Sequence, residues 1–422
     1  MPQSGNENKK QSFKHYTLKN GLELIVEPIL DVNSSAFSLY IPTGTAREPE
    51  NLPGLANLMS ECFHKGAGIY DSRQLSDECE KIGFHKSISC GMEAISFSGS
   101  VLADNFKRAF EITKMILLEP HFPESELESV KSLAIQDIDA IEDEPANKVM
   151  EDLNKEFYPD PFSRSGLGTK EGIEKITIED IREFYKETFN PKGAVIGVSG
   201  RVDPDEIYKL ISEELAGWEG GLEPLKIQPF SDKSRVLYNK KDNAQVQIAL
   251  AYPSIGLDHP EYYAARVGVN VLSGGMSGRL FVEVREKRGL VYRVGASHSG
   301  ARGRSAIFAY AGTTPENAEE TLKVMLEQLN SLKDGLTEEE LHRAKVDLKT
   351  RVIMQGESTS SRASSLASDW WNIGRVRSLD EVKSEIDKIG VKEIISYAKN
   401  FPVSGIALAV LGNKELSLGD FA

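Results

Sequence analysis

The two halves of this 422-residue chain repeat the same residue pattern, and this repeat constrains the fold more than any other feature. Three matches carry it: EKIG at 80–83 with EKRG at 286–289, LESVK at 127–131 with LHRAK at 341–345, and AVIGVSG ending at Gly200 with IALAVLG ending at Gly412. The matched segments are separated by 206, 214 and 212 residues, respectively. A nearly constant offset of this length indicates a duplicated domain and not a short solenoid repeat.

Alternating apolar residues open each half and predict strands. The turn Asn20-Gly21 leads into the first set, and Asp242-Asn243 leads into the second. The apolar positions are Leu22, Leu24, Val26, Phe37, Leu39 and Ile41 in the first half, and Val246, Ile248, Leu250 and Tyr252 in the second. We therefore expect an opening hairpin in each half, built from half-buried strands.

Helical spacing of apolar residues follows the strands in each half. It runs through Phe106, Ala109, Phe110, Ile116 and Leu117, and again through Ala318, Leu322, Met325 and Leu329. Strands followed by helices predict an α+β fold of two homologous domains, each an antiparallel sheet with helices packed on one face. We expect the domains to span residues 12–216 and 234–415. Residues 217–233 contain three Gly and two Pro without periodicity and are predicted to be a surface linker.

The formal net charge of −14 argues against a nucleic-acid or anionic-membrane partner, since both require clustered Lys and Arg. The first sixteen residues contain no apolar core of a secretory signal, and no later run reaches membrane-spanning length. Cys62, Cys79 and Cys90 are odd in number and lack metal-type spacing, which fits a reducing compartment. We expect a cytoplasmic protein.

The segment GLANLMSECFHKG, residues 54–66, has the frame GLAxxxxxxxxKG. This frame resembles the one around the HxxEH signature of the inverzincins, the family of pitrilysin, insulinase and the mitochondrial processing peptidase. In that register, the two zinc-binding histidines fall on Asn57 and Glu61, and the general-base glutamate falls on Ser60. The third ligand, a glutamate in a second helix, falls on Asp137 within AIQDIDAIEDEP.

Each of these four replacements removes one chemical role. Asn57 offers a neutral amide oxygen, Ser60 cannot act as a base near neutral pH, and Glu61 is a harder ligand than imidazole. Asn57, Glu61 and Asp137 leave open an oxygen-rich site for a hard cation, but a satisfied polar cluster is the favoured interpretation. We predict no zinc and no other cofactor in this chain.

The second half contains Arg285 and Tyr292, seven residues apart, within SGRLFVEVREKRGLVYRVGAS. Taken alone, they could lie on a charged helix face and at a strand start. The segment resembles the family's RxxxxxxY element, whose arginine and tyrosine lie across the chamber from zinc in active members. The resemblance implies that this pair helps to hold the substrate carbonyl and the transition-state oxyanion.

The resemblance spans about residues 12–415 and implies one half of a clamshell peptidase that encloses peptides or unfolded segments. Some bacterial members divide the work between a chain with HxxEH and a chain with a decayed zinc site. We therefore predict a non-catalytic subunit, inactive alone, that supplies Arg285 and Tyr292 to a zinc-loaded HxxEH partner in a heterodimeric endopeptidase. The alternative is a structural or assembly subunit resembling the core proteins of the respiratory bc complex. A hydrolase with another mechanism is disfavoured, because no nucleophile and base stand at a useful spacing.

Overall fold

The computed structural model describes residues 11–419, in which each half of the chain builds one large sheet. Strands of the first half are β1 (Lys14–Thr17), β2 (Glu23–Pro28), β3 (Ser34–Ile41), β4 (Gly66–Ala67), β5 (Tyr70–Asp71), β6 (His85–Cys90), β7 (Ile95–Leu102) and β8 (Val195–Gly200). Its helices are α1 (Leu55–Cys62), α2 (Ser72–Lys81), α3 (Phe106–Leu118), α4 (Glu124–Asp143), α5 (Pro145–Phe157), α6 (Lys170–Lys175), α7 (Ile178–Thr188) and α8 (Pro204–Glu214).

The second half repeats this order with fewer elements. Its strands are β9 (Arg235–Lys240), β10 (Val246–Pro253), β11 (Val291–Ser299), β12 (Ala306–Thr313) and β13 (Ala407–Gly412). Its helices are α9 (Tyr262–Ser273), α10 (Ala318–Asn330), α11 (Glu338–Gly356), α12 (Thr359–Ile373), α13 (Leu379–Lys388) and α14 (Val391–Asn400), and Phe281–Glu286 forms a π-helical turn. The two predicted amphipathic helices are therefore confirmed as α3 and α10.

The last strand of each half inserts into the middle of its sheet. The six-stranded sheet has the order β1-β2-β8-β3-β7-β6, and the five-stranded sheet has the order β11-β12-β10-β13-β9. β8 runs parallel to β2 and β13 runs parallel to β9, whereas the other pairs in both sheets are antiparallel. Both inserted strands are buried throughout, so their backbone groups must be paired on both sides.

This insertion corrects one sequence prediction. The hairpin at Asn20-Gly21 is present, because β1 pairs with β2. The second predicted hairpin, at Asp242-Asn243, is wrong, since β9 and β10 each pair with β13 and not with each other. A turn signal describes a local change of direction and cannot reveal a third strand that arrives from more than 150 residues away.

Equivalent contacts show the duplication in three dimensions. Lys131 of α4 donates to the carbonyl oxygen of Glu174 at 3.1 Å. Lys345, its counterpart in α11, donates to the carbonyl oxygen of Asp387 at 3.0 Å. The acceptors are 213 residues apart, close to the separation of the two donors. The prediction of two homologous sheet-and-helix domains is confirmed.

The two halves exchange a helix across their sheets. α12 of the second half packs on β8 and β3, and α5 of the first half packs on β13 and β10. Each sheet therefore has its own helices on one face and one helix of the other half on the opposite face. Because of this exchange the predicted half-buried character of the strands is wrong for β2, β3 and β10, which are buried on both faces.

Small residues line the face that receives each exchanged helix. In β10, Ala249 and Ala251 pack against Val149 and Leu153 of α5. In β8, a Cβ added at Gly197 would lie 2.4 Å from the carbonyl oxygen of Ala363 in α12. Helix and strand backbones are thus in direct contact, which only a residue without a side chain permits.

Each half contributes a helix that packs on the sheet of the other half, so the two domains are not separated along the chain by contacts alone. The domain boundaries 12–216 and 234–415, with the linker 217–233, therefore remain a prediction. Within residues 11–419, no helix is both long enough and apolar enough to cross a membrane.

Candidate functional site

Helix α1 carries three of the four positions that the resemblance assigns to the zinc site, and backbone geometry explains the residues that frame it. Gly54 precedes the helix with φ = 106°, a conformation that favours glycine. Leu55 and Ala56 are fully buried. At the other end Gly66 has φ = 113°, and an added Cβ would lie 2.7 Å from Nδ1 of His121. The residues that carry the resemblance therefore maintain the fold of this segment.

Glu48 is a buried part of this site that the sequence prediction missed. Its carboxylate accepts hydrogen bonds from the backbone N–H groups of Gly54 at 3.1 Å and Ala56 at 2.7 Å, so it satisfies donors at the start of α1. Burial raises the pKa of Glu48 to about 7, although the two backbone donors oppose this shift. No local signal distinguishes Glu48 from nearby Glu50, since the contact spans six residues of irregular backbone.

Asn57, Ser60 and Glu61, which the family resemblance matches with histidine, glutamate and histidine, all lie on α1. Asn57 and Glu61 are four residues apart and share one helix face. The hydroxyl of Ser60 is buried and donates to the carbonyl oxygen of Asn57 at 2.8 Å. Ser60 is therefore engaged by its own helix and does not face a ligand.

Asp137 of α4 comes near Glu61, because α1 and α4 pack together. Partial burial raises the pKa of Glu61, and the negative charge of Asp137 raises it further, while Lys65 opposes the change. Lys65 also pairs with Glu126 of α4 at 3.4 Å. The carboxylates of Glu61 and Asp137 are therefore close enough for the charge of Asp137 to raise the pKa of Glu61, a proximity that the sequence did not reveal.

The residues at this site do not fit zinc. A zinc site needs at least three His, Cys, Asp or Glu ligands in near-tetrahedral geometry. Throughout residues 11–419, no three such side chains are arranged to hold a metal ion. Asn57 contributes only a neutral amide, and no hydrogen bond among these residues joins it to Glu61. The chemistry left on α1 and α4 is a pair of partly exposed carboxylates.

Arg285 lies in the π-helical turn Phe281–Glu286. The N–H of Lys287 bonds to the carbonyl oxygen of Val282 at 3.0 Å, a five-residue step that widens the helix. Such insertions occur frequently at functional sites. The Arg285 guanidinium stands 5.0 Å from the ring centroid of Phe281, a cation–π contact between residues four apart. The four-residue spacing of Phe281 and Arg285 is visible in the sequence, but the sequence prediction did not use it.

Arg285 differs from its cationic neighbours in having no acidic partner. Lys287 and Arg288 both pair with Glu283, at 2.6 Å and 2.9 Å. The side chain of Arg285 is exposed and forms no ion pair within the described part of the chain. Its positive charge is therefore available to another molecule.

Tyr292 is the extra residue of a β-bulge. In the pairing of β11 with β12, Val291 lies opposite Thr313 and Arg293 lies opposite Gly312, which leaves Tyr292 without a partner. A bulge redirects a side chain and is common beside active sites. Tyr292 is 70% exposed, an unusual value for a large aromatic residue. Its phenol makes no hydrogen bond within residues 11–419.

A tight turn connects the two positions. The N–H of Gly289 bonds to the carbonyl oxygen of Arg285 at 3.0 Å, and the N–H of Leu290 bonds to that of Val284 at 3.0 Å. Gly289 has φ = 64°, and its counterpart Gly83 in the first half has φ = 65°. The turn therefore belongs to the duplicated scaffold, whereas Arg285 and Tyr292 are particular to the second half.

Comparison with known proteins agrees with the fold. The family profile described as "Insulinase (Peptidase family M16)" matches residues 29–170, and the profile described as "Peptidase M16 inactive domain" matches residues 175–348. A Bacillus subtilis protein named "Uncharacterized zinc protease YmxG" is 26% identical over 401 residues, or 94% of this chain and 98% of that protein. An "Uncharacterized zinc protease" of Rickettsia bellii is 26% identical over 414 residues, or 97% and 99%.

Solved structures show the same architecture over nearly the whole chain. A peptidase M16 inactive domain from Pseudomonas fluorescens superimposes with a TM-score of 0.88 at 20% identity, covering 96% of this chain and 99% of that one. A protease from Helicobacter pylori gives 0.85 at 18% identity, with 95% and 99% coverage. The chain belongs to the insulinase family of metallopeptidases, peptidase family M16.

Proposed function

We propose that this chain is the non-catalytic subunit of a heterodimeric zinc endopeptidase that acts on peptides or unfolded segments. A homologous partner with an intact HxxEH helix would bring the zinc and the general base. This chain would bring Arg285 and Tyr292, which would bind the substrate carbonyl and the developing oxyanion in the partner's active site.

One observation carries the proposal. Arg285 and Tyr292 are both exposed and lack ion-pair or hydrogen-bond partners within residues 11–419, and each sits at a backbone irregularity that is common at functional sites. An exposed, unpaired charge and an exposed phenol on one short segment are expected where a surface binds a ligand or a partner. A guanidinium and a phenol are also suitable donors to an oxyanion.

The altered first-half site supports the division of labour. The side chains around Asn57, Glu61 and Asp137 do not fit zinc, so the hydrolytic water must be activated elsewhere. Three free thiols, Cys62, Cys79 and Cys90, support a reducing and hence cytoplasmic location for the complex.

The test is to co-express this chain with a homologous HxxEH chain from the same genome and to assay cleavage of unstructured peptides. We expect activity only in the mixture. Arg285→Ala and Tyr292→Phe should each lower kcat by about 10²- to 10³-fold, the usual effect of removing one oxyanion donor. Arg288→Ala is the matched control, because Arg288 is a neighbouring exposed cation that is already paired with Glu283.

Two results would contradict the proposal. Full activity of the HxxEH chain alone would show that it needs no second subunit. Unchanged proteolysis with Arg285→Ala, in a complex that still requires this chain for assembly, would assign it the alternative structural role. The variants should remain folded, so their activities can be compared directly. Substitution of an exposed, unpaired side chain changes the free energy of unfolding by about 0.5 kcal/mol or less.

A further inference from the structure

A polar cavity lies beside the exchanged helix α12, between β3 of the first sheet and α9 of the second half. Its volume is about 610 Å³, which is within the range of small-molecule sites. Residues from both halves line it, including Tyr40 of β3, Arg266 and Tyr262 of α9, and His298 of β11. It therefore sits at the junction of the two halves.

Arg266 supplies an uncompensated positive charge to this cavity. It is partly buried on α9 and forms no ion pair within the described part of the chain. Burial lowers the pKa of His298 to about 4, and the positive charge of Arg266 contributes to this shift to a lesser extent. His298 is accordingly neutral at pH 7 and does not share the cationic role.

The other charges around the cavity are already balanced. Arg377 makes a two-pronged contact with Asp369, from Nη2 to Oδ1 at 2.7 Å and from Nε to Oδ2 at 3.1 Å. Arg362 pairs with Glu27 at 2.8 Å. Arg266 thus leaves one net positive charge at the cavity, in a chain whose formal net charge is −14.

Arg362 also lines the cavity but adds no free donor to it. The residue is 2% exposed and pairs with Glu27. Its Nη2 atom has no hydrogen-bond partner within residues 11–419, but this atom has less than 1 Å² of accessible surface and is therefore sealed from the cavity.

Serine hydroxyls form the rest of the polar wall. One face of α12 carries serines at helical spacing, namely Ser360, Ser361, Ser364, Ser365 and Ser368. The opposite face, with Leu366 and Ala367, packs on the first sheet. The Ser365 hydroxyl already donates to the carbonyl oxygen of Ser361 at 2.8 Å, and Ser364 lies 3.5 Å from the Tyr40 hydroxyl. The hydroxyls of Ser360, Ser361 and Ser368 donate to no other group within residues 11–419, so they remain as donors toward the cavity.

We propose that this cavity binds a small polar molecule that carries an oxyanion, either a carboxylate or a phosphate, with Arg266 as its charge partner and the serine stripe of α12 as hydrogen-bonding groups. The volume exceeds that of a bare anion, so the ligand has a polar body that reaches the rings of Tyr40 and Tyr262. Its binding would stabilise the contact between α12 and α9.

The cavity is separate from the proposed peptidase surface. His298 and Tyr292 lie on the same strand, β11, six residues apart, which corresponds to about 20 Å along an extended chain. Ligand binding in the cavity can therefore be measured on the isolated chain and does not depend on an HxxEH partner.

The test is calorimetric titration of the full chain with inorganic phosphate and, separately, with succinate, in a buffer without other oxyanions. We expect one site per chain, with Arg266→Gln weakening binding at least tenfold. Arg73→Gln is the control, since Arg73 is an exposed arginine of α2 in the first half and its loss changes the net charge equally. Ser361→Ala should weaken binding about fivefold, the effect of one hydrogen bond.

The two probes distinguish the sources of the oxyanion. Tighter binding of phosphate indicates a phosphorylated ligand, and tighter binding of succinate indicates a carboxylate. The proposal is overturned if neither probe binds at concentrations up to roughly 10 mM. It is equally overturned if binding survives both Arg266→Gln and Ser361→Ala, because the anion then sits elsewhere and the cavity holds only water.

Discussion

The buried ion pair between Glu27 and Arg362 offers a sharp test of the helix exchange. Glu27 lies on β2 of the first half and Arg362 lies on α12 of the second, and each is 2% exposed. The Nε atom of Arg362 donates to one carboxylate oxygen at 2.8 Å, and Gln11 donates to the other at 2.7 Å. The pair exists only if α12 is seated on the sheet of the other half.

Arg362→Met should destabilise the protein by about 3 kcal/mol. Removing one partner of a buried pair costs about 3–5 kcal/mol, because the remaining charge is left without compensation. The lower end applies here, since Gln11 still donates to Glu27 and the unsatisfied Nη2 atom is removed with the arginine. The double variant Glu27→Leu with Arg362→Met should recover most of the loss, giving a coupling energy of about 2 kcal/mol.

Urea unfolding followed by tryptophan fluorescence is the assay, because Trp370 and Trp371 lie on α12 itself and report its release. Lys349→Met is the matched control, since the Lys349–Asp387 pair has a similar length, 2.7 Å, but is exposed. Its loss should cost less than about 1 kcal/mol. If Arg362→Met costs no more than this control, α12 is not seated on the first sheet in solution, and the reasoning fails.

Three further predictions follow from other contacts. Between pH 4.5 and about 7, Glu48 is protonated in the folded protein but ionised in the unfolded chain. The free energy of unfolding should therefore fall as pH rises through this range, by at most about 3 kcal/mol. In Glu48→Gln, the urea midpoint should lack this part of its pH dependence. Gly197→Ala should lower the urea midpoint by displacing α12 from β8, at a cost of about 1–3 kcal/mol, and an unchanged midpoint would show that the two backbones are not in contact. Elemental analysis after incubation with zinc and desalting should find well under one zinc per chain, and a full equivalent lost on Glu61→Ala would refute our assignment of the α1 site.

The sequence alone determined the duplication and the helices α3 and α10, and it carries the prediction that the zinc ligands are replaced at Asn57, Ser60, Glu61 and Asp137. These features are local. Helical spacing depends on neighbours three and four residues away, and a ligand set is defined by residue types at fixed helical positions. The frame around α1 was also readable, because Gly54 and Gly66 have positive φ angles that favour glycine.

The tertiary structure decided where the strands stand and what covers them. β8 and β13 enter the middle of their sheets from the far end of each half, and α5 and α12 cross to the other half. Ala249 and Ala251 of β10 and Gly197 of β8 form the contact surface for a helix of the other half, which the prediction of half-buried strands did not include. No periodicity encodes this, because the covering helix is distant in sequence.

The same division applies to the site. The sequence named Arg285 and Tyr292, but only the folded chain showed that Arg285 is left unpaired beside Glu283 and that Tyr292 is turned outward by a bulge. Residue type is written in the sequence, whereas the availability of a side chain depends on what every other residue leaves within its reach.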